Sequence, residues 1–334
     1  MAEAYQSKLH NNRGSSLLMR GRLDAARQEL ELAVQEDPSN VAALTNFGYL
    51  LSREGKTDEA ILLYQRAIGM DPRYAVAHNN LGLAYTEREQ YADAREAFKT
   101  ALVVDPSYAV AYLNLAQVHH VEGELSAAAD AYATYLRMRP SDAHALYNLG
   151  VVRLEQGLPD QAASSFWQAV RVDRDHAGAR INLAAVLMRK NQWDQAIDML
   201  GPVIAANPDN DLALHHRALA FVGKRDLASA AADLTRILAR DAGAAGAANN
   251  LALVYRQQGN DAQAVAVLAS CLQRNQGNTM LHYNLGLVRR DMGTLDEACA
   301  HFAQVIALEP EGSQRKERAT NLLEECRARQ NGSL

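Results

Sequence analysis

Apolar side chains recur along the chain at helical spacing, in stretches of about fourteen positions that come in pairs. The first stretch of a pair usually breaks at a glycine: Gly21, Gly55, Gly123, Gly157, Gly259 or Gly293. The second often opens on acids suited to a helix N-terminus, such as Asp58-Glu59 and Asp296-Glu297, and closes at Asp-Pro or a near equivalent. Helix, turn, helix, stop is the predicted unit, and it recurs with a fixed period. Of the eight prolines, those at 38, 72, 106, 140, 208 and 310 differ by multiples of 34.

Cutting at that period gives nine repeats without insertion or deletion, at 7–40, 41–74, 75–108, 109–142, 143–176, 177–210, 211–244, 245–278 and 279–312. Repeat position 20 is always alanine, from Ala26 to Ala298, and position 8 is always Gly or Ala. Position 24 is bulky throughout: Leu30, Tyr64, Phe98, Tyr132, Phe166, Leu200, Leu234, Leu268 and Phe302. Small residues let two helices approach, and bulky ones fill the space beside them. A lone hairpin has too little apolar surface to be stable, so stability should be a nearest-neighbour property of the stack. Residues 1–6 read as a lead-in, 313–330 as an amphipathic capping helix with Ala319, Leu322, Leu323 and Cys326 on one face, and 331–334 as a tail.

This pattern resembles the tetratricopeptide repeat: small at 8, large at 11 and 24, Ala at 20, Pro at 32. Asn79-Asn80-Leu81-Gly82-Leu83-Ala84-Tyr85, followed by Ala94, Phe98, Ala101 and Pro106, is a close match. The resemblance implies an all-α, right-handed superhelical solenoid of helix-turn-helix repeats, with first helices lining a concave groove and second helices on the convex side.

Composition removes other classes. Net charge is −5 and no basic runs occur, so no nucleic-acid partner is expected. The start lacks an apolar signal core and no uncharged apolar stretch approaches membrane-spanning length, so a cytoplasmic location without membrane insertion is expected. Three cysteines without a CxxC make a disulfide framework unexpected. Gly48 to Gly55-Lys56-Thr57 has six residues between its glycines where a P-loop has four. His119-His120 and His215-His216 are adjacent pairs that point to different helix faces, a poor arrangement for metal, and HExxH is missing. No catalytic residue, metal or cofactor is predicted, and the chain reads as a non-enzyme.

Position 6 carries the candidate chemistry: Asn12, Asn46, Asn80, Asn114, Asn148, Asn182, His216, Asn250 and Asn284. Asparagine is a mediocre helix former, so local propensity does not explain the column. In tetratricopeptide superhelices an asparagine here points into the groove. The run resembles the asparagine ladder of O-linked N-acetylglucosamine transferases, which implies carboxamides gripping the N–H and C=O of an extended partner segment. Asparagine is also common at this position across the family, and repeat habit without a ligand is the alternative. Each hydrogen bond nets about 0.5–1.5 kcal/mol against about 1–2 kcal/mol to order a peptide residue, so other positions must supply affinity. Position 5 suggests an apolar stretch at Leu113, Tyr147 and Ile181, with Tyr283 further on. Positions 12 and 13 add Arg53, Glu87, Glu155, Arg189, Arg256, Arg290 and Asp291, predicting acidic ligand side chains toward Arg256 and Arg290, unless these charges are only a solvated wall.

The carboxylate clamp that reads heat-shock chaperone C-termini is absent, since no repeat has its Lys at position 5 or Arg at position 6. Three departures remain. His215-His216-Arg217 breaks the ladder, as a pocket or a slack joint. Gly201-Pro202 should kink or shorten its helix. Trp167, at position 25, is either a second contact patch or partly buried against a neighbouring helix. The reading is a non-catalytic adaptor. The alternatives are a scaffold or assembly factor using its convex face and ends, or a regulatory subunit of a separate enzyme.

Overall fold

The computed structural model describes residues 2–330, among which nineteen helices and no strand occur. They fall into two compact units, one through Arg174 and one from Asp175. The N-terminal unit holds five hairpins. They are α1 (Ala2–Met19) with α2 (Leu23–Glu36), α3 (Val41–Arg53) with α4 (Thr57–Met70), α5 (Ala75–Glu87) with α6 (Tyr91–Val104), α7 (Ala109–Val121) with α8 (Leu125–Met138), and α9 (Ala143–Glu155) with α10 (Pro159–Val172). The C-terminal unit holds α11 (Ala177–Arg189) with α12 (Trp193–Ala206), α13 (Asp211–Lys224) with α14 (Leu227–Arg240), α15 (Ala245–Gln257) with α16 (Asp261–Arg274), and α17 (Thr279–Asp291) with α18 (Leu295–Leu308). A single helix, α19 (Gln314–Gln330), follows. Residues 2–6, read as a lead-in, are already helical and belong to α1. The 331–334 tail lies outside the described residues.

Where position 8 is glycine, it receives the bulky residue at position 24 of the same hairpin. A Cβ on Gly150 would fall 2.4 Å from the Phe166 ring, so only a bare α-carbon admits the aromatic there. Phe98, Phe166 and Phe302 are consequently fully buried. Within each unit the second helices pack on the next first helices, as α2 on α3 and α14 on α15, and first helices also touch successors, as α1 with α3 and α15 with α17. The first helices of a unit therefore share one continuous face.

The turns follow from the repeat columns. Position 15 takes a left-handed backbone in every repeat, at Gly in six and at Glu89 (φ 60°), Asn191 (φ 58°) and Arg225 (φ 67°) in three. In five repeats position 31 closes the second helix as an Asx turn, with Asp37 Oδ1 accepting from Ser39 N at 3.0 Å and Asp105 Oδ1 from Ser107 N at 2.9 Å. Position 34 caps the next helix where its side chain allows: Asn40 accepts from Ala43 N at 3.1 Å and Asp142 from Ala145 N at 3.0 Å.

Helix α12 is not shortened by Gly201-Pro202 and runs its full fourteen residues. Pro202 is exposed, so the carbonyl that loses its donor one turn earlier can be hydrated. At the end of the chain, Ala319, Leu323 and Cys326 of α19 cover Ala298, Phe302 and Val305. Glu309 fastens the corner, its carboxylate accepting from Thr279 Oγ1 and Arg315 Nη1 at 2.6 Å each and from Ser313 Oγ at 2.8 Å. Those bonds hold its carboxyl down to about 2.

Candidate functional site

The position-6 amides lie on the shared first-helix face, and most of them bond to the preceding hairpin. Asn46 Nδ2 donates to Asn11 Oδ1 at 2.8 Å, Asn114 Nδ2 to Asn79 Oδ1 at 2.9 Å, and Asn284 Nδ2 to Asn249 Oδ1 at 2.7 Å. Asn250 Nδ2 meets His215 Nε2 at 3.1 Å. In each case the partner is the position-5 side chain of the repeat before, which is polar. Leu113 offers no such acceptor, and there Asn148 is hydrogen-bonded to the Tyr132 hydroxyl instead, whose pKa burial pushes up to about 12. Thr45 is turned back onto Val41 O at 2.8 Å, and Asn80 accepts from Asn79 Nδ2 at 3.3 Å. A set of free carboxamide rungs was expected; these amides first join one first helix to the next. Asn114 is buried, while Asn12 is exposed and Asn182 and His216 are half-buried.

Position 5 differs from expectation in the same direction. Asn11, Thr45, Asn79 and Ile181 are buried. Leu113 packs on the core cluster of its hairpin, and Tyr147 and Tyr283 tilt against Phe166 and Phe302 with ring centroids 5.8 and 6.1 Å apart. These side chains fill the seam between helices and are not an open apolar floor. The exposed apolar groups sit at positions 2, 9 and 13, which share a helix face with position 6. They are Met19, Tyr49, Val110 and Val121 in the N-terminal unit and Leu212, Leu253 and Met280 in the C-terminal unit. A hydrophobic residue at position 2 or 9 of a helix already rich in apolar residues gives little sequence signal, which is why that reading passed over them.

Two of these residues flank a cavity of about 250 Å³ between α15 and α17, lined by Asn249, Asn250, Ala252, Leu253, Arg256, Leu268, Met280, Asn284, Leu287 and Val288. Asn249 gives its oxygen to Asn284, but its Nδ2 is buried without an acceptor, whereas Arg256 Nε faces Asp261 Oδ1 at 3.5 Å. An unsatisfied buried donor costs about 1–3 kcal/mol, so a carbonyl or carboxylate entering here would be bound by a donor already desolvated. The charges beside it are largely balanced. Arg256 pairs with Asp291, which also accepts from Arg290 Nε and Nη2 at 3.0 and 2.9 Å. The expected pull on acidic ligand side chains toward Arg256 and Arg290 is thus opposed by Asp291. Arg53 and Arg189 are exposed, and Arg53 Nη1 donates to the Tyr49 hydroxyl at 3.3 Å.

The polar clusters around Arg217 and around His119 are internally satisfied. Arg217 makes a bidentate pair with buried Asp233, both bonds 2.7 Å, and its guanidinium lies 5.8 Å from the Phe221 ring. The charge at position 7 of repeat seven is thereby answered by an acid at position 23. Opposite charges at positions 7 and 23 point to such a pair, but Arg13 and Glu29 stand at the same columns of repeat one, so the pattern alone does not single it out. Beside it, burial lowers the pKa of His215 and His216. His119, Glu122 and Glu124 converge within metal-ligand range, but Arg95 Nη1 already donates to Glu122 at 2.8 Å and to Glu124 at 3.0 Å, and His119 Nδ1 lies 2.5 Å from Glu124. A wider depression of about 690 Å³ surrounds the turn between α8 and α9, where Tyr135 donates to Asp142 at 2.6 Å. Trp167 stands 39% exposed on α10.

Comparison with known proteins agrees with this architecture. One model described as tetratricopeptide repeat matches residues 3–41, 85–143, 122–179 and 215–279, more than half of the chain. Further models of the repeat match 153–220, 48–87 and 281–311. The chain belongs to the tetratricopeptide-repeat family. Repeats of this family bind other proteins, and the family is generally non-catalytic. Among solved structures, the C-terminal part of a TPR repeat-containing protein from Cytophaga hutchinsonii is 15% identical, with TM-score 0.60 over 72% of this chain and 99% of that one, a likeness of fold. YrrB, described as a TPR protein with an unusual peptide-binding site, is 26% identical at TM-score 0.49, over 56% of this chain and 96% of its own. MamA is 26% identical at TM-score 0.45, over 49% and 96%. No curated protein sequence matches the chain. No described helix of this tetratricopeptide-repeat chain is long and apolar enough to cross a membrane.

Proposed function

We propose that the chain is a non-catalytic adaptor that holds an extended segment of a partner protein on the face of its first helices. The observation that carries this reading is the cavity between α15 and α17, where the unpartnered Asn249 Nδ2 lies among amides and is flanked by exposed Leu253 and Met280. A backbone carbonyl of the segment accepts from Asn249, and a neighbouring apolar side chain rests on Leu253, Met280 and Leu287. Apolar contact supplies most of the affinity, because hydrogen bonds to a strand scarcely repay its ordering. Val110, Val121 and Tyr49 offer the same kind of contact on the N-terminal unit.

The position-6 asparagines then act in two ways. Those bonded to the previous repeat set the spacing of first helices, and their remaining amide hydrogens and oxygen lone pairs are available to the segment. Exposed Arg53 on the N-terminal unit and Arg189 on the C-terminal unit disfavour basic ligand side chains beside them, whereas Arg256 and Arg290 are balanced by Asp291.

Selection from a displayed library of linear peptides tests the reading. Peptides enriched on the wild type should carry apolar side chains and lose binding to Leu253→Glu, an exposed site where the fold is unaffected. Equal binding by that variant would move the contact elsewhere. A second reading, a scaffold using second helices, is favoured by an apolar groove of about 400 Å³ beside α14 and α16, lined by Leu238, Ala239, Ala266, Val267 and Ser270. Leu62 and Val103, strongly exposed on α4 and α6, also point to that side.

A further inference from the structure

The three cysteines are all free, and two of them meet at the end of the stack. Cys299, on α18, packs against the cluster that contains Cys326 of α19, close enough for its thiol to act on that of Cys326. Their environments differ. Cys326 is wholly buried, whereas Cys299 is partly exposed and its S–H points to Gln330 Oε1 at 3.8 Å. The groups facing them are few: Arg290 from α17, Glu325 beside Cys326, and Gln330, whose Nε2 donates to Asp296 at 2.6 Å. Cys271, on α16, is buried in a different cluster with its sulfur 3.6 Å from Asn275 Nδ2.

We propose that Cys299 and Cys326 form a thiol pair that a small-molecule disulfide converts into a bond between the capping helix and the last hairpin. The exposed member reacts first. The Cys299 thiolate attacks one sulfur of a disulfide such as oxidised glutathione, a mixed disulfide forms, and one glutathione thiolate leaves and takes up a proton. The Cys326 thiolate then attacks Cys299 Sγ and expels the second glutathione. Two protein thiols are oxidised and one glutathione disulfide is reduced to two thiols. Burial, which raises the Cys326 pKa, makes it the poorer first nucleophile and leaves it the role of resolving thiol.

The consequence concerns the cap. Helix α19 covers Ala298, Phe302 and Val305, so the pair lies across the seam between α19 and the last hairpin. A bond from Cys326 to Cys299 ties its last turns to α18 and closes a loop that includes the Glu309 corner. The inference stands apart from the peptide-binding reading, since neither cysteine lines the cavity.

The test uses the intact chain, equilibrated with oxidised glutathione and digested without reduction. The expected product is one peptide pair linked through Cys299 and Cys326, with Cys271 still free to alkylate. Amide exchange across α19 should slow roughly tenfold or more on oxidation, and Cys326→Ala should instead accumulate glutathione on Cys299. A persistent glutathione adduct on wild-type Cys299, a link that includes Cys271, a disulfide dimer, or three thiols left unmodified would each overturn the proposal. The wild-type product map decides the matter even where Cys326→Ala unfolds.

Discussion

Asn114 donates through Nδ2 to Oδ1 of Asn79, 2.9 Å away, from one first helix to the one before it. Asn79 is 2% exposed and Asn114 is 8% exposed, so this is an amide–amide bond in the seam between repeats. The same relation joins Asn46 to Asn11 and Asn284 to Asn249. An asparagine column that reads as ligand chemistry is therefore also a structural register between hairpins.

That role is measurable as a coupling. Replacing either Asn79 or Asn114 by Ala leaves a buried amide unpaired and should destabilise the chain by about 1–3 kcal/mol. The double variant should cost less than the sum of the two, with an interaction energy of about 0.5–3 kcal/mol in urea unfolding. Strict additivity would show that the two amides act independently.

The Arg217–Asp233 pair makes a sharper case. Asp233 is 3% exposed and takes two charge-assisted bonds from one guanidinium. Arg217→Ala strands that charge and should cost about 3–5 kcal/mol, whereas replacing both residues by Leu, as at position 7 of most repeats, should be close to neutral. Thermal or urea unfolding of the three variants checks this, and a mild single variant would mean that water reaches Asp233.

Position 15 predicts a gain. Glu89 and Arg225 hold left-handed backbones that cost a side-chain-bearing residue about 1–2 kcal/mol. Glu89→Gly and Arg225→Gly should each stabilise by roughly 1 kcal/mol after the entropy glycine adds to the unfolded chain. Gly123→Ala, at φ 76°, should do the reverse. Unfolding midpoints at constant slope read the effect directly.

Acid should loosen the C-terminal unit first through its histidines. Burial holds His215 and His216 below the ordinary value of 6.5, so the unfolded chain takes up protons that the folded one resists. Their contribution is complete above pH 6.5 and is lost as pH falls below it. Replacing both by Asn, the residue of neighbouring repeats, should flatten that slope. A separate loss at the Glu309 corner should begin only below its ordinary 4.5 and continue toward about 2. Urea midpoints between about pH 3 and 8 for both forms separate the two, the histidine phase lying above the Glu309 phase.

Much of the fold was legible because the repeat writes each contact nine times. The pairing of Gly150 with Phe166, the left-handed turn at position 15 and the cap at Ala319, Leu323 and Cys326 all recur as columns or as a clean amphipathic face. The site was less legible, for a geometric reason. Positions 5 and 6 are adjacent on one turn, about 100° apart, and sequence alone does not say how far the helix rolls. In the structure the roll carries position 5 into the seam and brings positions 2, 9 and 13 out, so Ile181 is buried while Leu253 is exposed. The opposing charge on Arg217 also went unread, because Asp233 lies on the other helix of its hairpin.

The central claim is that a partner segment lies on the first-helix face beside Asn249. Photo-crosslinking with benzoylphenylalanine placed at Leu253 on α15, and separately at Leu62 on α4, tests it most directly with a peptide selected by the intact chain. Both positions are exposed, at 49% and 65%, so accessibility favours neither first helix nor second. A crosslink from Leu253 that unlabelled peptide abolishes is expected, and none from Leu62. Crosslinking from Leu62 with none from Leu253 would contradict it.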